Sequence, residues 1–211
     1  MERCVIFGGG EITDLRYTQS ILRDDDYIIC ADRGYAYCVS LNIKPDLVLG
    51  DFDSYTGDMP EQCEILRYPV EKDDTDTMLA VKEAISRGYK NIVMVGMLGG
   101  RLDHTFANIQ TLVYAAQHGA KAAIADKSCR IASMCGGQSL TIPYERGYHF
   151  SVFCHSDTAW GVDIRHAKYE VENVEMTNGF PMGVSNDFLP GENAVVNVRK
   201  GILIIVKNQG A

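Results

Sequence analysis

The chain has 211 residues, enough for one large domain or two small ones with sizeable cores. Its 28 acidic against 20 basic residues leave a formal charge of −8, and no Lys/Arg block exceeds two residues, so nucleic acid and anionic membrane are poor candidate partners. Seven scattered cysteines without a C-x-x-C pair read as reduced packing thiols in a cytoplasmic protein and speak against zinc.

The opening run holds only four apolar residues, Cys4 to Phe7, before glycine, which predicts no secretory signal. No later stretch is long enough to span a bilayer. Residues 3 to 8 read as a buried strand, and Gly8-Gly9-Gly10 as a turn into a helix over 11 to 23. Such a turn either is simply tight or lets backbone amides approach a phosphate. A second strand, 27 to 31, ends in Asp32-Arg33-Gly34 before a helix over 35 to 41. Asp32 and Arg33 make either a local ion pair or a nucleotide contact, since a guanidinium can bind two phosphate oxygens at once.

The third strand runs into Gly50-Asp51-Phe52-Asp53-Ser54. Residues two apart in extended chain point the same way, so Asp51 and Asp53 aim two hard oxygen ligands into one space beyond a strand's carboxyl end. Open α/β sheets place their ligands there. Residues 65 to 69 predict a fourth strand, followed by Lys72-Asp73-Asp74-Thr75-Asp76 and a helix whose apolar face is Met78, Val81, Ala84 and Ile85. Capping accounts for one of these polar residues, not for three acids and a lysine in five positions. A strand over 91 to 96 then turns at Gly99-Gly100 into Arg101-Leu102-Asp103-His104 and a helix marked by Phe106, Ile109, Val113 and Ala116. His104 reads first as a helix-start side chain bonding locally, and Arg101, behind a glycine pair that frees the backbone to approach an anion, is the stronger functional candidate. Acids at three strand ends repel one another unless a cation sits among them, and Mg²⁺ shared with substrate phosphates is the economical choice.

With a strand over 121 to 125, this half alternates strand and helix, which predicts an α/β domain with a mainly parallel sheet and helices on both faces. From Cys129 the helical period is gone. Short runs at 130 to 134, 148 to 153, 168 to 174, 194 to 198 and 202 to 206 stand between glycines, predicting a smaller all-β sandwich or barrel. The expected division is 1–127 and 128–211. Gly183-Val184-Ser185-Asn186 reads as a loop between strands, either turn chemistry or a binding loop. Trp160 fits a hairpin corner, and Tyr169 a half-buried position in an alternating strand.

Five motifs stand in order: Ala31-Asp32-Arg33-Gly34, Pro45-Asp46 with Gly50 to Ser54, Lys72 to Asp76, Gly99 to His104, and Gly183 to Asn186. In this order and spacing they resemble those of the bacterial thiamine pyrophosphokinases, over nearly the whole chain. The resemblance implies transfer of the terminal pyrophosphoryl group of ATP to the hydroxyethyl oxygen of thiamine. It also implies a homodimer in which the α/β half of one subunit and the β half of the other close a shared site. Carried over, Asp51, Asp53 and Asp76 hold Mg²⁺, and Arg101 and Asp103 serve the nucleotide, with Asp32, Arg33, Lys72, Asp73, Thr75 and His104 as its neighbours. Ser185 and Asn186 contact thiamine. Some members carry tryptophan where this chain has Tyr169, the expected stacking ring. Two competing readings are a pyrophosphokinase for another heterocyclic alcohol such as a pterin, and a sensor of nucleotide or thiamine diphosphate without turnover.

Overall fold

The computed structural model describes residues 2–52, 63–71 and 73–210, so Asp53, Ser54 and Lys72 lie outside the described residues. The chain divides into two compact units, Met1–Lys127 and Ser128–Ala211.

In the first unit the strands are β1 (Arg3–Phe7), β2 (Tyr27–Ala31), β3 (Leu47–Gly50), β4 (Glu64–Arg67), β5 (Asn91–Val95) and β6 (Lys121–Ala125). They pair in parallel in the order β6-β5-β1-β2-β3-β4. Cys4 to Phe7, Leu47 to Leu49 and Ile92 to Val95 are buried without interruption. A parallel sheet covered on both faces requires such continuous apolar strands. The helices are α1 (Leu15–Ile21), α2 (Tyr35–Leu41), α3 (Asp76–Ser86) and α4 (Leu102–Gln117). Ile21 of α1 and Cys38 and Leu41 of α2 pack on the face that carries Val5, Phe7, Cys30 and Val48. Alternate strand residues such as Ile6, Ile29 and Leu49, also fully buried, point to the opposite face. Helix α3 packs against β1, β2 and β3 and against α4. The chain runs outward from β1 to β4 and then returns to β5 on the other side of β1. That reversal opens a crevice at the carboxyl ends of β1 and β5, where doubly wound sheets bind ligands.

Helix α1 is shorter than the periodicity predicts. Gly10 N–H donates to Gly96 C=O at 2.8 Å, and the Tyr37 hydroxyl donates to Gly10 C=O at 2.7 Å while accepting from Ile12 N–H at 3.2 Å. Those bonds hold residues 8 to 12 along the sheet end. The helix starts only at Asp14, whose carboxylate accepts from Tyr17 N–H at 2.9 Å. Beneath it, Arg3 donates two hydrogen bonds, at 2.6 and 2.5 Å, to an Asp26 side chain that is 0 % exposed. A third bond from Arg3, to Ile21 C=O at 2.8 Å, ties the end of α1 to the start of the sheet.

The second unit contains β7 (Cys129–Cys135), β8 (Gln138–Ile142), β9 (Tyr148–Cys154), β10 (Thr158–Arg165), β11 (Val171–Thr177), β12 (Gly183–Asp187), β13 (Ala194–Val198) and β14 (Ile202–Gln209). All pair antiparallel, in two sheets ordered β12-β9-β14-β7 and β11-β10-β13-β8. Phe150, Val152, Leu203 and Ile205 of the first sheet share one core with Val162, Ile164, Val196 and Val198 of the second, so this unit is a sandwich.

Three of its strands depart from the periodic reading. β10 runs through Trp160-Gly161, where a hairpin corner was expected, because Gly161 takes φ +63° and the pairing register shifts twice. β12 replaces the expected loop at 183 to 186, with a register shift between Gly183 and Asn186. β11 begins only at Val171, so Tyr169 stands in the preceding bend and not in a strand. A bulge puts two residues opposite one and breaks the period-2 pattern that would otherwise announce a strand.

Candidate active site

Every strand of the first unit delivers its carboxyl end to one edge, and glycines pack those ends together. A Cβ on Gly34 would lie 2.0 Å from Phe7 C=O, and one on Gly96 would lie 2.6 Å from Gly8 C=O. At Gly50, φ +147°, a Cβ would lie 3.2 Å from Asp32 Cα. The backbones of β2 and β3 therefore touch where Asp32 and Asp51 leave the sheet. Arg33 joins them, its Cβ lying 3.2 Å from where a Cβ of Gly9 would be.

Two side-chain-bearing residues in this group, Asp32 at φ +46° and Phe52 at φ +62°, take left-handed conformations. Such conformations cost about 1 kcal/mol or more each and cluster at functional sites. The carboxyl end of β4 adds Arg67, whose guanidinium lies 5.0 Å from the Phe52 ring centroid. Sequence reading missed this cation because a single arginine at a strand end carries no motif.

The acidic run before α3 divides by role. The Thr75 hydroxyl caps the helix by accepting from Met78 N–H at 3.1 Å, and Asp74 accepts from Lys82 Nζ at 2.6 Å. Asp73 is exposed, and Asp76 is half-buried in the helix's first turn. One residue on, the Thr77 hydroxyl lies 3.8 Å from Met97 Sδ, just past the end of β5. Met97 C=O in turn accepts from buried Asn108 Nδ2 at 2.8 Å, which pins the turn between β5 and α4.

That turn carries Gly99 at φ +81° and Gly100 at φ +66°, a left-handed pair that alanine would strain. Arg101 then reaches Asp103 through Nη2–Oδ2 at 2.6 Å and Nε–Oδ1 at 3.2 Å. The two side chains are 73 % and 62 % exposed. The Asp103 carboxyl is held below the usual carboxylate range, first by the Arg101 hydrogen bonds and then by His104 N–H, which donates at 3.0 Å. The Arg101 guanidinium is raised by the same partner. A solvent-facing pair of this kind contributes little to stability, so Arg101 is available to an incoming anion. His104 is exposed, and its backbone makes the local bond expected of a helix start.

Among the described residues, no group of three or more His, Cys, Asp or Glu stands close enough to hold a metal ion. Asp53, one of the three expected ligands, is not among them.

The sandwich unit brings Tyr169 and Asn186 together. Tyr169, Asn186, Val184, Met176 and Met182 line a small apolar cavity. Ser185 is exposed in the β12 bulge at φ +57°, and its N–H donates to the Ser151 hydroxyl at 3.1 Å. Asn186 is buried. The next residue, Asp187, accepts from Lys168 Nζ at 2.9 Å and from His149 Nδ1. Those two partners, Lys168 first, hold the Asp187 carboxyl below its ordinary range.

A doubly wound α/β unit with acids and arginines at its strand ends belongs to the class of open α/β domains that bind ligands at the carboxyl edge of the sheet, here followed by an antiparallel sandwich. Residues 18–124 match the family model for the thiamin pyrophosphokinase catalytic domain, and residues 139–203 match that for the thiamin pyrophosphokinase vitamin B1 binding domain. The chain belongs to the thiamin pyrophosphokinase family. A thiamine pyrophosphokinase of Bacillus subtilis (strain 168) is 28 % identical over 185 residues, covering 85 % of this chain and 86 % of that one. The crystal structure of thiamine pyrophosphokinase from Bacillus subtilis aligns with a TM-score of 0.88 at 25 % identity, over 100 % of both chains. That of thiamin pyrophosphokinase from Geobacillus thermodenitrificans aligns with a TM-score of 0.82 at 25 % identity, over 100 % of this chain and 99 % of the other.

Proposed function

We infer that the protein is an ATP:thiamine pyrophosphotransferase, moving the terminal pyrophosphoryl group of ATP to the thiamine hydroxyethyl oxygen and releasing AMP. The observation that carries this reading is the match of a catalytic and a vitamin B1 binding family model, in that order, to the two halves of one chain. Phosphoryl transfer asks a protein mainly to position its reactants and offset developing charge. The carboxyl edge of the parallel sheet is suited to that.

In this reading Arg101 exchanges its exposed partner Asp103 for phosphate oxygens and stabilises the charge that develops as AMP departs. Asp32, Arg33, Lys72, Asp73, Thr75 and His104 surround the nucleotide. Asp76 or Asp103 orients the acceptor hydroxyl. Tyr169, Ser185 and Asn186 form the thiamine side, with the exposed Tyr169 ring as its stacking surface.

Asp51, Asp53 and Asp76 are proposed to hold Mg²⁺. Their hard carboxylate oxygens suit that ion, which commonly takes only one or two protein carboxylates and fills its shell with substrate phosphates and water. When bound, the ion would offset negative charge on the phosphate oxygens.

The deciding assay mixes ATP, Mg²⁺ and thiamine and follows AMP. Stoichiometric AMP and thiamine diphosphate are expected, with none when a pterin alcohol replaces thiamine. Thiamine-independent nucleotide binding without AMP would overturn the reading. The protein is further proposed to be a homodimer with its sites at the subunit interface, and light scattering should return the mass of two chains, not one. A cytoplasmic location is supported by seven cysteines that are all free thiols. Among the described residues no helix is long and apolar enough to cross a membrane.

A further inference from the structure

We propose that Asn186 is a positioning residue for the Tyr169 ring: it sets thiamine affinity by clamping the Tyr169 backbone and not by touching the substrate. This rests on the reading that Tyr169 lies on the thiamine side. The clamp is two-sided. Asn186 Oδ1 accepts from Tyr169 N–H at 3.0 Å, and Asn186 Nδ2 donates to Tyr169 C=O at 2.8 Å. A second N–H, that of Asp187, reaches the same Oδ1 at 2.9 Å. Two converging N–H donors require an oxygen there, and the carbonyl opposite requires the NH₂, so the amide can stand only one way round.

An asparagine side chain has two acceptor lone pairs and two N–H donors. Three of the four are used inside the protein, and the residue is 4 % exposed. Little is left for a ligand.

The position of the clamp explains its use. Residues 166 to 170 form the bend between β10 and β11, entered at His166 with φ +56°. Along this bend, Ala167 bridges Phe188 in antiparallel register, and Lys168 N–H donates to Asp187 C=O at 2.9 Å. The next rung, Tyr169 against Asn186, falls where β12 is bulged. There the Asn186 side-chain amide takes up the N–H and C=O of Tyr169 that a neighbouring backbone would otherwise pair. A rung built from a side chain thus continues the ladder for one residue. It holds a ring that is 57 % exposed and has no strand of its own to fix it. On the other side, Lys168 Nζ lies 5.3 Å from the Tyr169 ring centroid while bound to Asp187 at 2.9 Å. Tyr169 is thereby held from two sides, its backbone by Asn186 and its ring by Lys168.

The test is a double-mutant cycle on the full-length enzyme with Mg²⁺ and ATP. Tyr169→Ala and Asn186→Ala should each raise the thiamine KM about three- to tenfold, the worth of one aromatic contact. The ATP KM and the melting midpoint of Tyr169→Ala should stay near wild type, and the double variant should be no worse than Tyr169→Ala alone. Factors that multiply in the double variant would overturn the proposal, because a direct Asn186 contact adds to the effect of the ring. An unchanged thiamine KM in Tyr169→Ala would overturn it differently, by removing Tyr169 from the thiamine side. If Asn186→Ala does not fold, Asn186→Asp serves in the same cycle. It keeps an acceptor for both bonds to Oδ1, removes the donor to Tyr169 C=O and sets a carboxylate oxygen against that carbonyl, so a thiamine KM equal to wild type in that variant would also sink the clamp.

Discussion

Replacing Asp51 by Asn is expected to lower kcat by about 10²- to 10³-fold, the usual cost of removing one group that stabilises developing charge. The substitution keeps size and shape and removes only the negative charge. Because the amide oxygen still accepts hydrogen bonds, whatever local bonding the carboxylate makes is largely retained. The melting midpoint should therefore move little. Asp51 follows Gly50, whose backbone packs on Asp32 at the ends of two neighbouring strands, so the variant relieves some like-charge repulsion as well. If the residue acts through Mg²⁺, the concentration of that ion giving half-maximal rate should rise in the variant. A kcat near that of the wild type would remove Asp51 from the ion's ligands, whatever happened to stability.

The largest effect on stability is expected for Gly34→Ala, and here two arguments point in opposite directions. Gly34 has φ −56° and ψ −24°, an ordinary helical conformation. On backbone entropy alone alanine would stabilise by about 0.4–1 kcal/mol. Against that, the new methyl would lie 2.0 Å from Phe7 C=O and 2.5 Å from Phe7 C. These are backbone atoms of a central strand whose Phe7 side chain is 0 % exposed, so neither partner can rotate away.

Overpacking of this kind costs about 1–3 kcal/mol where side chains can adjust, and more where only backbone can. The clash therefore wins, by about 3 kcal/mol. At about 2–4 °C per kcal/mol for a chain of this size, the midpoint should fall by about 6–12 °C. Asp32 and Arg33 share a single helical turn with Gly34, so turnover at a temperature well below the midpoint should fall too. A midpoint at or above that of the wild type would show that the strand ends are less tightly packed than the structure has them.

Much of the site was legible in the sequence because parallel sheets write their architecture plainly. Buried on both faces, β1, β3 and β5 appear as uninterrupted apolar runs. Whatever polar residues follow each run must lie at the same carboxyl edge, which groups Asp32, Asp51 and Arg101 from the sequence alone. The antiparallel half was harder to read. In β10 and β12, bulges at Gly161 and Ser185 break the alternation, so from sequence the first reads as a corner and the second as a loop.

The sequence alone thus determined the α/β class of the first half, the all-β class of the second, the motifs of its family, and the edge of the sheet where the acids collect. Local periodicity is set by which faces are buried, and a chain records that residue by residue. Tertiary structure decided what each polar group does. Asp74 is taken by Lys82, the Thr75 hydroxyl caps α3, Gly34 locks the end of β2 against β1, and Asn186 is occupied by Tyr169. Most of these roles depend on a partner several to many residues away in sequence, and a hydrogen bond between such groups exists only once the backbone has brought them within about 3 Å of each other.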